Sequence, residues 1–294
     1  MHKYLNFIDP SIMKKITLIL VLLSFGITNS GYSQGKLDIA EKSLSKRESN
    51  NTSRNDSRSG SDDNYESTDW GDMFIVAELG LFAAEAFLYA TYFTAIETPM
   101  EAEHRATGAR ITKYPYLNSK IGNYAYDSGE NTTQFRATIS NRYIIENQKL
   151  YGNHLNADLR FLERIGFEAD YLQLWEDNTN FGANTLAIFT AMAKYHRVRT
   201  EKFNAWWGVG TTYVGGEVDE FGFAYGVGAE LFFAKPLSIE TNFYGAYINQ
   251  RPVNRLSALL NYHYKRLKFS GGYEHLRIGS LDLSTFSGGM GVSF

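Results

Sequence analysis

From residue 133 onward, apolar and polar side chains alternate along the chain with a period of two. Within 150–163, the odd positions Tyr151, Leu155, Ala157, Leu159 and Phe161 are apolar, interrupted by Asn153, while the even positions include His154, Asn156, Asp158 and Arg160. A strand with one apolar and one polar face needs this pattern. It recurs in 221–233, where Phe221, Phe223, Tyr225, Val227, Ala229, Leu231 and Phe233 share one face, and again in 237–247. The alternation predicts ten strands near 133–145, 150–162, 165–175, 181–196, 203–213, 221–233, 237–248, 254–264, 267–277 and 282–294. Strands in soluble sandwiches average nearer five to six residues, whereas a strand crossing a bilayer needs ~9–11 residues at a tilt of ~45°. The predicted strands are of the second kind.

The ends of the apolar faces sharpen this reading. Tyr151 is bracketed with Phe161, Phe167 with Trp175, Phe181 with Tyr195, Phe203 with Tyr213, and Phe221 with Phe233. All are odd-numbered, so each pair shares a face. Ten residues at a rise of ~3.3 Å and a tilt of ~45° cover roughly 23 Å along a membrane normal, the height of a bilayer's apolar band. Two aromatic girdles on an outward face are therefore expected, whereas a soluble barrel would turn this face inward. The polar face, largely the even-numbered positions of the first eight strands, is assigned to the lumen. It contains Arg136, Arg142, His154, Asp158, Arg160, Glu168, Asp170, Lys194, His196, Glu230, Glu240, Arg255 and His263, with Lys268 and Glu274 as candidates in the ninth strand. Both signs occur in similar number, and charges in a narrow lumen need partners.

Upstream of the strands the pattern breaks down. Met13, Lys14 and Lys15 followed by the apolar run 16–25 and small residues Gly31 and Ser33 read as a secretory signal, so 1–33 is assigned to a signal peptide whose start is Met13. Residues 34–71, dense in Ser, Asn, Asp, Arg and Lys, are expected to be a disordered periplasmic linker. Residues 72–131 are expected to hold an apolar helix over 73–98, then coil. Two extra strands compete with that helix. It could act as a plug or collar at the periplasmic mouth. Glu78 and Glu85 on one face speak against a transmembrane helix, since each buried carboxylate costs ~2.5 kcal/mol or more. The barrel itself is assigned to 132–294.

Composition changes the picture only by exclusion. A net charge of −3 gives no reason to expect a nucleic-acid partner. The absence of Cys excludes disulfides, thiolate metal sites and Cys nucleophiles. The six His are scattered, no phosphate loop or dinucleotide fingerprint is present, and no catalytic, cofactor or metal residue is assigned. Connections at 163–164, 197–202, 235–236 and 265–266 are short and mostly basic. Those at 146–149, 176–180, 215–220, 249–253 and 279–280 are more acidic or polar. An even strand count puts both barrel ends on one side, which an exported linker would make periplasmic.

The chain ends SGGMGVSF, with Phe294, Val292, Met290 and Phe286 on one alternating face. This resembles the C-terminal strand of small Gram-negative outer-membrane β-barrel proteins. The resemblance covers about 133–294 as architecture. It implies residence in outer-membrane lipid and recognition of those four residues by the barrel assembly machinery; the even strand count and the exported linker make a periplasmic C-terminus and N-terminal arm the expectation. The expectation is an all-β, antiparallel transmembrane barrel of about ten strands with an N-terminal apolar helical segment. Its expected role is structural or narrow-passage, with a salt-bridged polar lumen. The alternatives are a small-solute channel and a membrane-embedded hydrolase or lipid-modifying enzyme, for which paired carboxylates or His154 with Asp158 would be the acid–base groups.

Overall fold

The alternating patterns become ten antiparallel strands closed into one barrel in a computed structural model, which describes residues 35–45, 108–127, 129–147, 149–178 and 182–294. Numbered in chain order, the elements begin with helix α1 (Lys36–Leu44) and the short strands β1 (Arg110–Thr112), β2 (Tyr124–Ala125) and β3 (Thr132–Thr133). The barrel strands follow: β4 (Phe135–Ile145), β5 (Leu150–Phe161), β6 (Ile165–Asn178), β7 (Gly182–Arg199), β8 (Phe203–Val214), β9 (Glu220–Ala234), β10 (Leu237–Ile248), β11 (Arg251–Tyr264), β12 (Leu267–Ile278) and β13 (Leu281–Ser293). Each strand pairs with its sequence neighbours. Pairing of β13 with β4, from Phe286↔Ile145 to Ser293↔Thr138, closes the cylinder and leaves no sheet edge. One rim, mouth A, holds the start of β4 and Phe294. Mouth B is the opposite rim.

Paired residues of an antiparallel ladder lie on one face, so turn length decides which parity points inward. The three-residue turn between β5 and β6 keeps even residues inward, as in Arg142↔His154 and Asp158↔Glu168. The two-residue turn 235–236 would flip the parity, but a register shift between Leu237 and Ile239 cancels it. Flips at 249–250, 265–266 and 279–280 stand. Odd residues therefore face inward on β11, even ones on β12 and odd ones on β13, as Tyr244↔Arg255 and Leu259↔Gly272 show. This corrects the expectation that even positions line the lumen through the eighth strand. Arg255 and His263 are inward because they are odd.

Three further expectations change. The described helix is not the apolar segment 73–98, which lies outside the described residues. It is α1, inside the stretch assigned to a disordered linker. Leu37, Ala40 and Leu44 are fully buried on one side of it, and the barrel supplies the apolar partner surface that the local sequence lacks. Second, the stretch to 131 expected to be coil holds β1 and β2, which pair with each other, and β1 also pairs with β3. Third, α1 and Phe294 do not share a side. α1 packs among the mouth B turns, bonded to Glu146, Glu176, Asn249 and Ser280, whereas Phe294 pairs with Ala137 at mouth A.

Candidate functional site

The barrel interior has three storeys. Next to mouth B it is apolar: Ile144, Leu150, Leu174, Leu186, Val214, Ile248, Ile278 and Leu283 form one buried cluster with Leu37, Ala40 and Leu44 of α1. The helix has Gly35 at its N-cap position and no side-chain cap of its own. Glu176, fully buried on β6, takes that role from 140 residues away. Its two carboxylate oxygens accept the backbone N–H groups of Lys36 at 3.0 Å and Leu37 at 2.9 Å, satisfying orphan donors where the helix dipole favours an anion. Lys36 Nζ also reaches Glu146 at 2.6 Å. The closeness of the fit shows at Gly279 (φ 61°), where a Cβ would lie 1.9 Å from Ser43 Oγ.

Glu41 of α1 packs near Glu217, whose backbone N–H it accepts at 3.4 Å. Burial, and secondarily the charges of Glu217 and Asp38, push its carboxyl above the ordinary carboxylate range. The docked helix thus holds this proton more tightly than a released one. Docking is fully favoured below the ordinary value and weakens as pH rises through the raised one. Hydrogen exchange of α1 amides, corrected for intrinsic rate, is expected to show stronger protection at about pH 4 than at about pH 8, and Glu41→Gln is expected to remove the difference. Equal protection in the wild-type chain would refute this.

The middle storey is a charge network. Lys194 Nζ holds Asp158 and, at 2.6 Å, Glu168; Arg160 Nε reaches Asp158 at 2.8 Å. Arg142 Nε meets Glu274 at 3.0 Å, and its guanidinium also contacts His154. His154 and Arg255 meet the two oxygens of Asp170, each at 2.5 Å. Tyr244 donates to Glu168 at 2.7 Å and underlies the Arg255 guanidinium at 4.6 Å, while Lys194 sits 4.2 Å over Trp206. Lys268 pairs with Glu240 at 3.2 Å. A cavity of about 60 Å³ lies among these charges, room for a few water molecules at ~10–15 Å³ each.

Mouth A is covered by residues 109–126. Asn123 bridges two wall residues of opposite charge: it accepts from Arg136 at 2.8 Å and donates to Glu230 at 2.7 Å. Tyr116 donates to the Leu237 carbonyl at 2.6 Å, and burial pushes its phenol pKa up. Beneath it, Ser238 lies 2.8 Å from His263 and donates to Glu230 at 2.7 Å. This is not a hydrolase triad, because the carboxylate engages the serine rather than orienting the imidazole, and Tyr116, edge-on, and Phe232, tilted, crowd His263 with ring centroids 5.7 Å away in each case.

Every lumen residue assigned from the sequence faces inward, and the charged ones join the network or the mouth A cover. The sequence reading missed Glu176, which it left in a loop, and Asn123, Trp206 and Tyr244; for Glu176 the only local signal is its even parity on β6. No group of three or more His, Cys, Asp or Glu side chains among the described residues is placed to hold a metal ion.

The outer face is apolar. Ile139, Leu155, Val209, Val227, Leu231 and Leu256 are exposed on it. Near mouth B, aromatic rings meet in rows: Tyr143 with Tyr151 at 6.1 Å, Tyr151 with Trp175 at 5.8 Å and Tyr213 with Phe221 at 4.7 Å. Near mouth A, Tyr195 meets Trp207 at 5.6 Å and Tyr262 meets Phe269 at 6.4 Å. Phe161, Phe167, Phe203 and Phe233 also stand on the outer face toward mouth A, and Phe286, Met290, Val292 and Phe294 on the outer face of β13 and its end. Phe181 lies outside the described residues.

A closed barrel that is apolar outside, belted by aromatic residues and charged within has the architecture of a transmembrane β-barrel protein. No protein-family model matches the chain, and no curated protein matches it. Among solved structures it is similar to the outer membrane protein Ail of Yersinia pestis in a phospholipid bilayer nanodisc, with 12% identity over 54% of this chain and 99% of that one and a TM-score of 0.32. It is also similar to the outer membrane protein OprG from Pseudomonas aeruginosa (12% identity, 55% and 96% covered, TM-score 0.30). A third is an outer membrane channel from Pseudomonas putida F1 (8% identity, 57% and 99% covered, TM-score 0.37). At these values no residue assignment and no role passes to this chain.

Proposed function

We propose that this chain is an integral protein of the bacterial outer membrane whose barrel is occluded and serves a structural role. The observation that carries this is the contrast between its two faces. The outside presents aliphatic side chains between aromatic rows, while the inside is filled by mutually paired charges and covered at both mouths. A lipid environment supplies the apolar partner that the outer face lacks. The basic turns of mouth A are the shorter set, which supports mouth A as the periplasmic rim. The ionic lumen holds the narrow cylinder rigid rather than wet. In this reading the odd-numbered aromatic residues are the membrane girdles, and Phe286, Met290, Val292 and Phe294 are the assembly signal.

The test is refolding of the chain without residues 1–34 into vesicles, followed by gel mobility with and without boiling and then planar-bilayer recording. A heat-modifiable band without stepwise conductance is expected. Stepwise conductance from the intact barrel would favour the small-solute passage instead. An unchanged band would remove the membrane barrel altogether.

The lipid-facing claim has its own test. Val227, half-exposed at the middle of β9, becomes a charge at membrane depth in Val227→Arg. The expected cost is about 2–4 kcal/mol, read from urea unfolding in vesicles. A cost near zero would place this face in water.

A further inference from the structure

We propose that α1 stoppers the outer mouth of the barrel, on the membrane face opposite the C-terminus, so that α1 itself is displayed at the cell surface. This rests on the membrane reading above and adds to it the side on which each part of the chain stands.

Among the described residues, the contacts that seat α1 belong to the mouth B rim or to the apolar storey just beneath it. Its first turn is held by Glu146 at the end of β4 and Glu176 near the end of β6. The Glu217 backbone in the β8–β9 turn reaches Glu41. At its other end, Asn249 in the β10–β11 turn donates to the Leu44 carbonyl at 2.8 Å, and Ser280 in the β12–β13 turn donates to Ser43 at 3.2 Å. The helix therefore lies across the mouth from the β4–β6 side to the β10–β13 side. Its apolar side faces down into the lumen, and Ile39 and Lys42 remain exposed.

Residue 108, where the described chain resumes, belongs to the other end. The carbonyl of Ala109 accepts from Arg199 at the mouth A end of β7 at 3.0 Å. Thr112 accepts from Arg136 at the start of β4. The Gly122 N–H donates to Glu201 in the β7–β8 turn at 2.7 Å. Residues 45 and 108 thus stand at opposite rims, with the charge network between them. If mouth A is periplasmic, as Phe294 and the shorter turns there indicate, covalent continuity puts α1 outside. With mouth A periplasmic, a periplasmic position for α1 itself, the simplest expectation for an exported chain, is incompatible with the seat it occupies.

The absence of cysteine makes the test clean. Three single-cysteine variants at exposed positions, Ile39→Cys in α1, Glu217→Cys at mouth B and Lys265→Cys at mouth A, are treated with a membrane-impermeant maleimide in intact and in permeabilised cells. Labelling of Ile39→Cys and Glu217→Cys in intact cells, with Lys265→Cys silent until permeabilisation, is the expected result. Ile39→Cys silent in intact cells while Glu217→Cys reacts would overturn the proposal and leave the barrel's orientation standing. Lys265→Cys reacting in intact cells while Glu217→Cys and Ile39→Cys do not would invert the barrel and overturn the surface placement of α1. Equal labelling of all three in intact cells would overturn both this proposal and the membrane reading.

Discussion

Replacing Asp158 by Asn is expected to cost about 3–5 kcal/mol of stability, the penalty for leaving buried charge unanswered. The substitution keeps the side chain's volume and removes only its charge. Two cations lose by it. Arg160 meets its carboxylate through Nε at 2.8 Å, and Lys194 is left with Glu168 alone. Neither can escape to solvent, since Lys194 is 5% and Arg160 9% exposed. The double variant Asp158→Asn/Arg160→Met is expected to recover part of the loss, because it withdraws the cation whose carboxylate partner was Asp158, while Lys194 keeps Glu168. The measurement is urea unfolding in vesicles, supported by the temperature at which the compact gel band converts. The structural reading requires a stability change with no gain of conductance. A loss below about 1 kcal/mol would mean that water screens the lumen as it screens a surface pair, and would remove the central support for an occluded barrel.

The second large effect concerns α1. Leu37→Asp is expected to release the helix from mouth B while the barrel stays folded. Leu37 is fully buried, so releasing its side chain forfeits about 1.5–3 kcal/mol of apolar burial. Keeping it docked would instead bury a carboxylate among aliphatic residues, beside Glu176 at the same helix end. Either course weakens the docking of a nine-residue helix that is held at one rim. The reporter is a cysteine at Ala40, on the buried side of α1. It should resist maleimide in the parent chain and react once Leu37→Asp is added, with the heat-modifiable band unchanged. Glu176→Gln should act in the same direction but more weakly, since it replaces charge-assisted bonds worth ~1.5–3 kcal/mol with neutral ones. Equal reactivity of Ala40→Cys with and without Leu37→Asp would show that the helix is not seated there.

Particular elements show why some of this was legible in the sequence and some was not. The strands could be read because an antiparallel barrel strand declares itself locally. Alternation of burial is a property of ten or so consecutive residues, and the boundaries at 203–213 and 237–248 differ from β8 and β10 by at most one residue. Inward charges and outward aromatic residues follow from the same alternation, so the lumen set could be assigned as a set. Its pairings could not. Arg255 meets Asp170, 85 positions earlier in the chain, and no local pattern encodes that choice. Parity on β11 was misread for a related reason. It depends on whether each turn has two residues or three and on one register shift at Leu237, details that hydrophobic periodicity does not resolve.

The helix is the sharpest case. KLDIAEKSL, the sequence of α1, offers only Leu37, Ile39 and Leu44 as large apolar residues and no N-cap side chain. Read alone, it cannot offset its ordering entropy and belongs to a linker. The barrel changes the balance by providing an apolar storey and a carboxylate at Glu176. Likewise, Asn123 became a bridge between Arg136 and Glu230 only once the barrel closed beneath it. The sequence by itself determined the architecture, the two faces and the ten crossings, because these rest on short-range periodicity. Tertiary structure alone decided which charges pair, what covers each mouth and at which rim α1 is seated. Those outcomes rest on contacts between residues far apart in the chain, whose free energies exist only after the cylinder has formed.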